Sequence, residues 1–180
     1  QILRGGAFFS AMELIFLYKQ QVRGIIEYPT SAIYHASDSV LAPLDALQGR
    51  VLRAAGLTDF EALLYARLAP LKTRRDIAMQ GILHRQALGL GPKPLDALLI
   101  RDSSMPARHT RLSANRHRLQ IQSHCGGQHT DYLRRSLLGA IDVYNLLPPS
   151  IVETSATVPE LQGKLQSLVL ERACAGMPDW

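Results

Sequence analysis

Apolar residues recur at helical spacing through most of the first hundred positions. Leu14, Tyr18, Val22 and Ile25 predict a helix over residues 10–27, with Pro29 as its stop. Val40, Leu44, Leu47 and Val51 form one stripe of a second helix over 40–55, with Arg50 and Arg53 off the stripe. Pro43 falls in the first turn expected for that helix, and Gly56 is placed to end it. Thr58-Asp59-Phe60-Glu61 has the spacing of a capping box and starts a third helix that runs to about residue 67. Beyond Pro70, Thr73 is the expected cap of a fourth helix, with Asp76 in its first turn and an end near Gly89. Pro92 and Pro94 then break the pattern, and residues 95–100 allow one or two more helical turns.

The periodicity lapses over 101–130, where Ser, Gly, Asn and Pro are frequent. Only residues 117–122 alternate polar with apolar, as a short strand would, and the rest reads as a loop or extended arm. Helical spacing returns over 131–146 through Leu133, Leu137, Ile141 and Tyr144, and stops at Pro148 and Pro149. Thr157 and Glu160 form a second capping-box pattern, here with Pro159 in the first turn. The last helix carries Leu161, Leu165 and Leu168 and fades by Gly176. Its leucines are expected to pack on Leu133, Leu137 and Ile141, since neither helix alone covers its apolar face. The expectation is an all-α fold of five to seven helices in an orthogonal or bundle-like array, with a basic arm and room for one short strand. Residues 1–100, 101–130 and 131–180 are its three parts.

Composition supports that reading. Hydrophobic residues are 47% and aromatics 6% of the chain, so its core is built mainly from aliphatic side chains. The apolar run over 11–17 is short and holds Glu13, which argues against a membrane span. A start at Gln1 reads as a fragment of a longer protein. Two cysteines do not make a disulfide framework, and a reducing, intracellular setting is expected, either nuclear or cytoplasmic.

The net charge is +5, carried by sixteen Arg and four Lys against 15 acids. Guanidinium forks match phosphate geometry, and the arginines concentrate where periodicity is lost. Between Arg101 and Arg135 there are seven Arg and four His against two Asp. Arg108, Arg111, Arg116, Arg118, Arg134 and Arg135 are candidate phosphate contacts, with a solvated loop as the alternative. The arm has no aromatic residue before Tyr132, which argues against base stacking as its main mode. On the fourth helix Arg74 and Arg85 flank a face holding Ala78 and Gly81. Small residues there admit either a close phosphate backbone or another helix. His84 reads as a packing residue.

Catalytic patterns are missing. The chain has no Asp-Asp or Asp-x-Asp pair for two metal ions, no Gly-x-Ser-x-Gly, no phosphate-cradling Gly-rich loop and no Cys-x-x-Cys. His124, Cys125 and His129 are the nearest approach to a metal set, with His117 or Cys174 to complete it. The favoured reading of them is a polar loop with a free cysteine. No cofactor and no small-molecule substrate is indicated.

Several passages, taken in order, resemble the region after the polymerase core of LINE-type (non-LTR) retrotransposon reverse transcriptases. They are the helix L-Y-K-Q-Q-V-R-G-I-I-E-Y from Leu17 to Tyr28, L-D-A-L-Q-G-R-V-L-R from Leu44 to Arg53, and the Arg74-Arg75 helix from Leu68 to His84. The last runs from Arg134-Arg135-Ser136 to Tyr144-Asn145-Leu146-Leu147-Pro148, followed by a leucine helix. Tyr144 stands where the motif usually has Trp. The resemblance implies a thumb-like domain over 1–100 that grips template RNA or an RNA–DNA duplex. It also implies a polymerase core, an RNA-directed DNA polymerase, upstream in the same parent protein. The alternative is a stand-alone helical module, derived from a retroelement, that binds protein.

Overall fold

The computed structural model describes residues 8–102, 116–124, 133 and 135–177. Among these residues the fold is all-α. The helices are α1 (Ala11–Leu17), α2 (Arg23–Glu27), α3 (Thr30–Ile33), α4 (Asp38–Ala55), α5 (Asp59–Ala66), α6 (Leu71–Ala87), α7 (Leu137–Asn145), α8 (Pro149–Val152) and α9 (Val158–Cys174). A π-helical segment, Tyr18–Val22, joins α1 to α2, and a 3₁₀ turn spans Lys93–Leu95. No helix among the described residues is long and apolar enough to cross a membrane.

The chain divides into two compact units, one reaching to Asp76 and resuming at Gln166, the other spanning Ile77–Leu165. In the first unit, local signals set the helix starts. The Ser10 hydroxyl accepts from the Glu13 amide, and the Glu13 carboxylate accepts from the Ser10 amide at 2.8 Å. Thr58 and Glu61 repeat that exchange at α5. Gly56 takes the left-handed conformation, φ +67°, and closes α4 with Leu57 N–H donating to the Leu52 carbonyl.

The core of this unit joins Ile15, Tyr18, Val51, Leu52, Ala62, Ala66 and Leu68. The π segment alters which residues reach it. One extra residue per turn rotates the following helix, so Ile26 packs against this core while Ile25 stays 75% exposed. The stripe of α4 is likewise displaced. The helix begins at Asp38 rather than Val40, Val40 is 63% exposed, and Leu41 is buried in its place. Pro43 consequently lies past the first turn. Gln48 fills a core position that aliphatic periodicity does not reveal. Tyr18 Oη donates to Gln48 Oε1 at 3.2 Å, and Gln48 Nε2 donates to the Ala69 carbonyl at 3.1 Å. Burial and the nearby Glu27 carboxylate push the Tyr18 phenol up to about 12. A second cluster packs Val169, Leu170 and Ala173 of α9 on Leu63 and Ala69.

The start of α6 also departs from expectation. The helix begins at Leu71, with Arg74 N–H donating to the Pro70 carbonyl, so Thr73 lies inside it and is not its cap. Its end agrees with expectation. Gly89, φ +74°, donates to the Gln86 carbonyl, and Leu90 N–H donates to the Arg85 carbonyl.

In the second unit, Ser136 caps α7 by accepting from the Gly139 amide at 3.2 Å. Ile141 and Tyr144 are fully buried. The expected strand over 117–122 is a single antiparallel bridge between Arg101 and Ile121. Asp102 N–H donates to the Gln120 carbonyl and Gln122 N–H to the Ile100 carbonyl, and the pairing stops there. At the start of α9 the capping box is shifted. Thr157 Oγ1 accepts from the Glu160 amide at 3.4 Å, but the Glu160 carboxylate takes the Ala156 N–H.

Candidate nucleic-acid interface

Arg74 and Arg85 do not frame an open face. The Arg74 guanidinium holds Glu27 of α2 through both Nε and Nη2, the latter at 3.0 Å. Its neighbour Arg75 is buried and makes a two-pronged pair with Asp45 of α4, at 2.7 and 2.9 Å. Arg74 and Arg75 therefore fasten this helix to other helices. Arg85 is exposed, and its Nε donates to the Leu90 carbonyl at 3.0 Å, covering the end of its own helix. Gly81 meets another helix. A Cβ there would lie 2.5 Å from Gln162 Nε2 and 3.0 Å from Val158 Cγ1, so α9 occupies the room that a phosphate backbone would need. Of the two readings of Ala78 and Gly81, helix contact is the one realised at Gly81.

The basic arm is different. Arg108, Arg111 and Arg134 lie outside the described residues, as do Cys125 and His129. Arg116 and Arg118 are exposed, Arg101 across the bridge is exposed, and Arg135 is half-buried. None of these four guanidinium groups forms an ion pair among the described residues. The Glu153 carboxylate accepts the Arg118 backbone N–H at 2.7 Å.

Fixed attachments hold this basic segment. Asn145, the last residue of α7, clasps Ile121 from both sides. Its Oδ1 accepts the Ile121 N–H at 3.0 Å and its Nδ2 donates to the Ile121 carbonyl at 2.7 Å. Gln120 Nε2 donates to the Asn145 carbonyl at 2.9 Å. Between the exposed Arg116 and Arg118, the His117 ring turns inward and its Nε2 donates to the Tyr144 carbonyl at 3.0 Å. Ile121 is buried on the same side. Arginines thus face out, and His117 and Ile121 face in.

Tyr144 is the centre of this attachment. Its ring meets that of His117 edge-on, with centroids 5.1 Å apart. Its hydroxyl lies 3.0 Å from His84 Nδ1, and His84 Nε2 lies 3.0 Å from the Ser155 carbonyl. A carbonyl can only accept, so His84 Nε2 carries the proton and Tyr144 donates to Nδ1. This direction of donation holds for the neutral His84 ring. Burial pushes the His84 and His117 rings below the usual histidine range, and it pushes the Tyr144 phenol up.

His124 Nε2 contacts the Leu98 carbonyl at 2.8 Å. Among the described residues, no group of three His, Cys, Asp or Glu side chains could hold a metal ion. The sequence pattern does not single out Asn145 or the inward turn of His117 as attachments. The alternation of residues 117–122 is the one signal that separates the two faces. Comparison with protein-family models, with curated proteins and with solved structures finds no match.

Proposed function

We propose that the chain binds the phosphate backbone of a nucleic acid through the basic segment around residues 101–135. On this reading it is a non-catalytic part of a retroelement reverse transcriptase that grips template RNA or an RNA–DNA duplex. The observation that carries the proposal is the exposure of Arg101, Arg116 and Arg118 on a short segment anchored by Asn145 and His117. Anchored guanidinium groups lose less freedom on meeting phosphate than groups on a free chain. The arginine-rich stretches on either side extend the same positive charge along the sequence. The order of motifs that resembles the LINE-type region supports the same partner.

Fluorescence anisotropy with labelled RNA–DNA hybrids of unrelated sequence tests this. Expected is similar affinity for each hybrid, falling on a log–log salt plot by nearly one unit per phosphate neutralised. A second reading, protein binding, is favoured by the exposed Met12 and Phe16 of α1 and the exposed Phe9 just before it. Binding of hybrid that is absent, or insensitive to salt, favours that reading instead.

A further inference from the structure

His117 has one imidazole nitrogen in use and one without a hydrogen-bond partner among the described residues. Nε2 donates to the Tyr144 carbonyl, and Nδ1 is buried with no hydrogen-bond partner among the described residues. A neutral ring tolerates this arrangement, because Nδ1 then carries only a lone pair. A protonated ring does not, because Nδ1 becomes a buried N–H with nothing to receive it, on a buried positive charge. The charged groups around the ring do not offset that cost. Glu153 favours the charged ring, but its carboxylate is already bonded to the Arg118 amide and is exposed to solvent. His84, on the other side of Tyr144, disfavours it. Arg116 and Arg118 adjoin it in the chain and add positive charge. In the docked position, Tyr144 presents a carbonyl already bonded to Nε2 and the edge of its ring.

We propose that His117 is an acid-released latch. Neutral, it fastens residues 116–122 to the end of α7; protonated, it lets that segment leave. The remaining attachments are the Asn145 clasp, the Gln120 bond, the Arg118 N–H on Glu153, the buried Ile121 side chain and one bridge to Arg101. Release moves Arg116 and Arg118 from a fixed placement to a free one. The latch is a property of the segment itself and stands whether or not its arginines meet phosphate.

Linkage sets the size of the effect. With the docked ring below the histidine value of about 6.5 and the released ring near it, the released population grows by up to about tenfold per pH unit between the two values. Hydrogen exchange on the whole chain reads this directly, as protection factors corrected for the intrinsic pH dependence of exchange. Expected is a roughly tenfold loss of protection at the Ile121 and Gln122 amides between pH 7.5 and 5.5. Protection at Val51 and Leu52 should change less, and His117→Gln, which keeps a neutral donor, should abolish the pH response of residues 121–122. Unchanged protection at 121–122, an equal loss at all these amides, or the same response in the variant overturns the latch. If His117→Gln does not fold, nuclear magnetic resonance titration of the wild-type imidazole decides. A His117 transition that coincides with the loss of protection supports the latch, and one that does not coincide refutes it.

Discussion

Tyr144 serves three neighbours through three different parts of the residue. Its hydroxyl donates to His84, its carbonyl accepts from His117, and its ring edge packs on the His117 imidazole. Removing the hydroxyl alone, in Tyr144→Phe, keeps the ring and the carbonyl but leaves His84 Nδ1 buried without a donor. A loss of about 1–3 kcal/mol is expected, measured by urea denaturation. A midpoint like wild type would show that the hydroxyl is not holding His84. Residue types announced part of this arrangement. His84 reads as a packing residue from its helix, and it is one. The partners of His84 and His117 were not legible, because they lie 27 to 71 residues away in sequence and only the fold brings them together.

At the scale of elements, helix signals with a local cause were readable and those with a tertiary cause were not. The capping box at Thr58 and the glycine endings at Gly56 and Gly89 use neighbours within six residues, and their spacing is visible in the chain. The inward phase of α2 depends on the π segment, and the start of α6 at Leu71 overrides the polar residues that suggested Thr73. Arg74 and Arg75 mark the same limit. A basic pair on a helix fits phosphate as well as carboxylate, and only the positions of Glu27 and Asp45 decide between them.

Helix α9 offers a matched pair of tests. Gly163 is exposed in its interior, and a Cβ there meets nothing within 4 Å. Gly163→Ala should stabilise the chain by about 0.5–1 kcal/mol, since alanine loses less backbone freedom. Leu161, two residues earlier, is fully buried. Leu161→Asp should cost several kcal/mol by burying an unpaired charge. Thermal melts of both variants check the orientation of the helix: if Leu161→Asp melts like wild type, or Gly163→Ala melts well below it, the assigned face is wrong.

For the whole molecule, each unit has its own means of holding its parts. The first relies on an aliphatic core crossed by the Tyr18–Gln48–Ala69 bonds and the two arginine–carboxylate pairs. The second surrounds Tyr144 with buried histidines and carries the basic segment on its surface. The net charge of +5 is thus unevenly used. Arg74 and Arg75 are neutralised within the fold, while Arg101, Arg116 and Arg118 remain available to a partner. The most direct test of that division is the salt dependence of hybrid binding with Arg101, Arg116 and Arg118 changed to Ala together. The log–log slope should fall by about two to three, with affinity reduced alike for all sequences and with helical content unchanged. A folded triple variant with the wild-type slope would contradict the assignment of the basic segment as the nucleic-acid interface.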